Sequence, residues 1–320
     1  MTTGGVGTET GVAETRRVVT SVGDFPIQEV GSGAVVLLLN GWPMAPAQWQ
    51  GLVPQLAARS RVIVPDLTQI PARQGAHATA VRDLLAAEDI DRVSLVGQGA
   101  GATVALELLA ALPRGVPPVG SDAAILLSPT VPGLWPSPEL VEILRARTAE
   151  ATDDQVRGTI ETLLTRGSGA TSVIDRSLFE AVCSAWQGEA RRQAFVAARP
   201  STADPAEDLD PVWSEALAAI ETPVLLLWGE DDPFARADGA EVLHDLIGSA
   251  TLGLVPGCGH FLVEEAPATV APMIVEYLYA RALGGAHDHG TPGDGPRDGV
   301  TLLQLERRPP WVGPADGDRW

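Results

Sequence analysis

"SLVGQGAGATVALELLA", residues 94–110, decides how this chain is read. A strand-length apolar run ending at Gly97 meets a cluster of glycines and passes straight into a segment of helical periodicity, so the glycines mark a tight strand-to-helix turn. Two kinds of chemistry use such a turn. A dinucleotide-binding loop needs G-x-G-x-x-G/A, which Gly97, Gly99 and Ala102 satisfy, and an acidic residue about 20 positions on to hold a ribose. The next strand-like run, "AAILLSPT", ends instead in Ser128 and Thr130, and the turn follows several strands rather than opening the first. The other use is a nucleophile elbow, G-x-Nuc-x-G, here Gly97-Gln98-Gly99-Ala100-Gly101. In that frame the nucleophile position is Gly99, which has no side chain.

Three other stretches agree with the second frame. "LLLNGWPMAPAQWQGLVPQLAARSRVIVPDL" is similar to an HGxP strand-loop-helix with Asn40 in place of the histidine. "PVLLLWGEDDPFA" reads as a strand that delivers an acid at Asp232, and "VPGCGHFLVEEAP" as a loop that delivers His260. The order nucleophile position, acid, histidine is that of the α/β-hydrolase superfamily, which the chain resembles over most of residues 15–284, nearest to its epoxide hydrolase and haloalkane dehalogenase branch. That resemblance implies a mostly parallel, twisted eight-stranded sheet flanked by helices, with a helical cap inserted over its carboxyl edge.

The rest of the chain fits the expectation. Apolar runs such as "AVVLLLN", "SRVIVPD", "RVSLVG", "AAILLSP", "PVLLLWG" and "ATLGLVPG" alternate with helical stretches, the pattern of a parallel α/β sheet. The alternation lapses over residues 136–220, where the periodicity is helical throughout. The expected organisation is a tail at 1–14, a core at 15–135, a cap at 136–220, the remaining core at 221–284 and a Gly/Pro/Asp-rich extension at 285–320. Within that extension "TLLQL" is apolar enough to dock.

A formal charge of −19 argues against nucleic acid and anionic membrane partners. No stretch of about 18 apolar residues and no secretory leader is seen, which points to a cytoplasmic protein, monomer or homodimer. All 22 basic residues are arginine, so lysine chemistry is excluded, and the Ala/Gly/Pro-rich composition suits a GC-rich genome such as an actinomycete's. Cys183 and Cys258 have no metal-ligand spacing, and no cofactor or metal is expected. His77, His244, His287 and His289 read as surface or tail residues.

What the resemblance implies about activity is limited by the departures. With Gly99 at the elbow no covalent acyl or alkyl intermediate can form there. Only Tyr277 and Tyr279 exist, in the last helix, so the tyrosines that open an epoxide are missing. What survives is an acid/base pair, His260 with Asp232, and an oxyanion hole from the backbone N–H groups of Trp42 and Ala100, with Asn40, Gly41, Gln98, Trp135 and Phe261 around a pocket for a hydrophobic carbonyl compound. The expected activity is a cofactor-free cyclisation, isomerisation or elimination, pericyclic steps included, on a polyketide-like natural-product intermediate. Two alternatives stand beside it: hydrolysis by a His260-activated water, and a non-catalytic small-molecule binder.

Overall fold

The computed structural model describes residues 14–71, 75–112, 120–131, 136–145, 151–170, 172, 174–198, 211–283 and 301–303. Nine strands among them form one sheet: β1 (Glu14–Thr20), β2 (Gly23–Val30), β3 (Ala34–Leu39), β4 (Ser60–Pro65), β5 (Arg92–Gln98), β6 (Gly120–Leu127), β7 (Val224–Gly229), β8 (Ala250–Val255) and β9 (Thr301–Leu303). Their spatial order is β1-β2-β4-β3-β5-β6-β7-β8-β9. From β4 to β8 every pairing is parallel, whereas β1, β2 and β9 join antiparallel.

The central strands are continuous apolar runs because both of their faces are covered. One face packs under α2 (Ala76–Ala87), α3 (Ala100–Ala111), α8 (Pro211–Ala218) and α9 (Ala237–Leu246), through Leu37, Leu95, Leu126, Leu226 and Leu252. The opposite face packs against α1 (Val53–Ala57) and α11 (Pro267–Leu283), through Leu38, Val96, Ile125, Leu227 and Ile274. The alternation of strand residues between these two clusters is the period-2 geometry of a pleated strand.

Between β6 and β7 stand α4 (Pro138–Arg145), α5 (Asp153–Gly167), α6 (Arg176–Ala185) and α7 (Glu189–Ala198). Two of them begin on strong signals. Thr152 and Gln155 form a reciprocal capping box ahead of α5, and the Asp175 carboxylate accepts from Ser177 N and Leu178 N at the start of α6. These helices share a cluster of their own, including Leu140, Ile160, Leu163, Val182, Trp186 and Phe195, which closes down on Met44, Phe234 and Phe261. The short α10 (Leu262–Glu265) joins the core beside α11 through Leu262 and Val263.

The structure departs from the run pattern of the sequence at three places. Residues 211–218 fall within the stretch read as cap, but α8 buries Ala216 and Leu217 in the core beside α3. The run "GDFPIQEV" forms β2, whose Pro26 and one-sided alternation masked it; Phe25 and Ile27 face the core. The sheet gains a strand beyond the expected eight, because Thr301–Leu303 pairs with β8, Leu252 opposite Leu303. The segment "RRPPWVGPADGDRW" lies outside the described residues. No described helix is long and apolar enough to cross a membrane.

Candidate active site

Parallel strands deliver their carboxyl ends to one edge of the sheet, and that edge is where ligands of open α/β sheets bind. Asn40 follows β3, Gly99 follows β5, Asp232 follows β7 and His260 follows β8. The turn at Gly99 has φ +53° and ψ −119°, a conformation that side-chain-bearing residues adopt only under strain. It is held by Gly99 N donating to Leu127 O at 2.9 Å and by Thr103 N donating to Gly99 O at 3.1 Å. Gly101 permits the turn to press against β3, since a Cβ there would lie 2.1 Å from Leu39 O.

His260 and Asp232 come together. His260 Nδ1 lies 2.8 Å from Asp232 Oδ2, and the two residues are only 4% and 5% exposed. The other Asp232 oxygen accepts from Phe234 N and Ala235 N, each at 2.8 Å. An acceptor-only carboxylate fixes the proton on Nδ1, which leaves Nε2 as the basic nitrogen. That nitrogen faces the elbow: a Cβ built on Gly99 would stand 3.1 Å from Nε2 and 3.7 Å from Cε1.

The loop carrying His260 is pinned from several sides. Its N–H donates to Gly167 O at 2.7 Å, tying it to the end of α5. Glu265 accepts from Gly169 N, Gly259 N and Phe261 N at 2.7, 2.9 and 2.8 Å. Gln98 Nε2 donates to His260 O at 3.0 Å, which couples the elbow to the histidine loop directly.

The loop after β3 is held as tightly. Asn40 Nδ2 donates to Met44 O at 2.8 Å and Gly41 O at 3.2 Å, and Gly41 N donates to Gln48 Oε1 at 3.4 Å. Asn40 therefore fastens this turn, while its Oδ1 has no hydrogen-bond partner among the described residues. A Cβ on Gly41 would lie 2.7 Å from Gln98 O and 3.6 Å from Ala100 N, so the loop and the elbow touch. Ala100 is the first residue of α3, where a helix leaves its N–H without an intrahelical acceptor. Trp186 Nε1 donates to Pro43 O at 2.7 Å and joins the insertion to this loop.

A cavity of about 330 Å³ opens between the sheet edge and the inserted helices. Asn40, Gly41, Trp42, Ala100 and His260 line it. Gln98 and Phe261 do not: Gln98 is buried behind the histidine loop, and Phe261 packs edge-on to His260 in the seam with the insertion. Trp135 lies outside the described residues.

Sequence reasoning missed other parts of the lining. Thr103, Glu107 and Thr130 face the cavity, and His77, read as a surface residue, is half-buried there with Nε2 3.2 Å from Leu67 O. His244, also read as surface, is buried in α9. The helical spacing of Ala100, Thr103 and Glu107 was the available signal, because positions i, i+3 and i+7 share a helix face. Cys183 and Cys258 are both free and buried, and burial pushes the Cys258 thiol up to about 11, which makes it a packing residue rather than a nucleophile. Among the described residues no group of three His, Cys, Asp or Glu side chains is arranged for a metal ion.

This geometry can be set against known proteins. Residues 36–273 match the family model described as the alpha/beta hydrolase family. The chain belongs to the alpha/beta hydrolase family. As a member it is similar to the 2-hydroxy-6-oxononadienedioate/2-hydroxy-6-oxononatrienedioate hydrolase 2 of Pseudomonas putida, 25% identical over 269 residues, covering 78% of this chain and 90% of that one. The 2-hydroxy-6-oxo-6-phenylhexa-2,4-dienoate hydrolase of Comamonas testosteroni is also 25% identical, over 81% of this chain and 93% of its own. A soluble epoxide hydrolase of Corynebacterium is 34% identical, but over 83 residues and 23% of this chain. Among solved structures, a serine hydrolase involved in carbazole degradation superposes with a TM-score of 0.67 at 22% identity, covering 84% of this chain and all of that one. The carboxylesterase CesB of Bacillus subtilis does so with 0.68 at 16%, over 86% and 93%. These likenesses establish the alpha/beta hydrolase fold.

Proposed function

We propose that this chain is a non-hydrolytic alpha/beta hydrolase, a cofactor-free enzyme that cyclises, isomerises or eliminates from a carbonyl-bearing natural-product intermediate. One observation carries the reading. A Cβ built on Gly99 would stand 3.1 Å from the basic nitrogen of His260, where a family nucleophile would project, and Gly99 has none. In a serine hydrolase measured elsewhere, removal of the nucleophile costs about 2 × 10⁶ in kcat, so a covalent route has no foothold here.

The remaining groups still suit carbonyl chemistry. The backbone N–H groups of Trp42 and Ala100 would take up charge on a substrate oxygen, each donor worth about 2.7–4 kcal/mol in comparable sites. His260, oriented by Asp232, would move a proton, a contribution of typically 10²–10⁴. The relatives named above are called hydrolases of 6-oxo dienoates, compounds with a conjugated carbonyl, which supports the substrate class. Their names also favour a second reading, hydrolysis by a water seated beside Gly99 and activated by His260.

Metabolite mass spectrometry of the native host decides whether there is catalysis at all. Deletion of the gene makes an intermediate accumulate, wild type restores the product, and His260→Ala does not. Unchanged metabolites after deletion would refute the proposal and leave a ligand-binding role.

A further inference from the structure

The cavity that takes in the reacting groups is also lined by polar side chains with a chemistry of their own. Ala100, Thr103, Val104 and Glu107 line the cavity from a single face of α3. Seven residues of α-helix rise about 10 Å, so Glu107 lies roughly that far along α3 from the Ala100 N–H. Its carboxylate has no hydrogen bond to any described residue, and Arg82 acts on it only through space. A partly desolvated carboxylate facing a cavity is a strong acceptor for any group in the cavity that can donate to it.

Other groups that line the cavity are acceptors as well. Thr103 Oγ1 is engaged by Gly99 O, by Thr130 N and by Thr130 Oγ1 at 2.6 Å, and this pairing leaves lone pairs on the Thr130 hydroxyl. His77, whose Nε2–H is committed to Leu67 O, retains an acceptor at Nδ1 in its neutral form, which burial favours. Among the described residues that line the cavity there is no arginine, and the chain has no lysine. The described lining around Glu107 therefore offers acceptors and no cation of its own.

We infer that Glu107 forms a subsite that selects a substrate carrying a hydrogen-bond donor, an ammonium or hydroxyl group, about 10 Å from its reacting carbonyl. This rests on the proposed function, which puts the carbonyl at Trp42 and Ala100. A simple alkyl terminus would leave the Glu107 carboxylate desolvated and unpaired, and so would be discriminated against. A carboxylate terminus would meet like charge.

The test uses three acetophenones that differ only at the far end: para-aminoethoxy-, para-hydroxyethoxy- and para-propoxy-acetophenone. Binding to the full chain is read from tryptophan fluorescence, because Trp42 and Trp186 line the cavity. Wild type should bind the amine more tightly than the propoxy compound by about tenfold or more, the equivalent of one charge-assisted hydrogen bond, with the alcohol between them. Glu107→Leu should reverse the order in favour of the propoxy compound, and Glu107→Gln should keep the alcohol while losing the amine preference. Thermal melts of both variants check that they fold. Affinities within about twofold of one another in wild type, an order unchanged by Glu107→Leu, or no saturable binding of any of the three would overturn the inference. A fourth probe, para-aminoethoxy-ethylbenzene, separates the two claims. If it matches the amine ketone in affinity, the oxyanion reading fails while the subsite stands.

Discussion

Replacing Gly99 with serine probes the geometry of the site without knowledge of its substrate. A Cβ at this position would stand 3.1 Å from His260 Nε2, tighter than an ordinary contact, so the imidazole must give by a few tenths of an ångström. The backbone at φ +53° and ψ −119° adds strain of about 1–3 kcal/mol for a non-glycine residue. At roughly 2–4 °C per kcal/mol for chains of 150–250 residues, the melting temperature should fall by several degrees. In return the new Oγ lies within hydrogen-bonding reach of an oriented base and beside the first N–H of α3. The ceiling on the catalytic gain is the ~2 × 10⁶ that a nucleophile is worth in a well-aligned triad. A misplacement on the ångström scale forfeits about 10², so hydrolysis of p-nitrophenyl acetate should rise by about 10²–10⁴ over wild type. Gly99→Ser should also be labelled once by a fluorophosphonate, with the adduct visible by intact-mass spectrometry and lost in Gly99→Ser/His260→Ala. A folded Gly99→Ser that neither labels nor hydrolyses would refute the alignment of elbow, histidine and oxyanion donors.

Other perturbations have defined outcomes. Asp232→Asn removes the acceptor that orients His260 Nδ1–H and should lower turnover of the native substrate by about 10²–10⁴, with circular dichroism unchanged; retained turnover would make the pair vestigial. Gly101→Ala forces a Cβ to within 2.1 Å of Leu39 O and should destabilise the chain by more than the ~1–3 kcal/mol of ordinary overpacking; an unaltered thermal melt would contradict the close approach of α3 to β3. Burial pushes the Glu264 carboxyl up to about 8, against the smaller pull of its own N–H and of the Gln48 and Gln98 amides, none of which closes into a well-formed hydrogen bond. The folded state then holds this proton while the unfolded state, near 4.5, has released it, so stability should decline as pH rises from about 4.5 to about 8. Glu264→Gln should flatten that part of the stability-pH curve, and identical curves for the two proteins would refute the buried acid.

The sequence made the elbow legible because glycine spacing, strand, turn and helix all had to agree there, and it made His260 and Asp232 legible through their place after two apolar strands. The parallel strands were readable for the same physical reason, burial on both faces. β2 was not, since only Phe25 and Ile27 of its residues are deeply buried and Pro26 interrupts the pattern. Nor was the allegiance of α8, because an amphipathic helix does not say which apolar surface it will cover. Gln98 was taken for a pocket residue when its amide instead holds the histidine loop, a long-range bond across 162 positions that no local pattern encodes. Glu264 and Glu265 read alike as adjacent acids, yet one is sealed in the interior and the other caps three backbone N–H groups.

The most direct measurement takes the intermediate that accumulates in the deletion strain and converts it with the purified protein in water enriched in ¹⁸O. A product with the mass of the intermediate, or lighter by one eliminated small molecule, and free of ¹⁸O is the result expected of a non-hydrolytic carbonyl enzyme. Incorporation of one ¹⁸O into the product in a His260-dependent manner would contradict it, and would show that the water beside Gly99 has taken over the nucleophile's part.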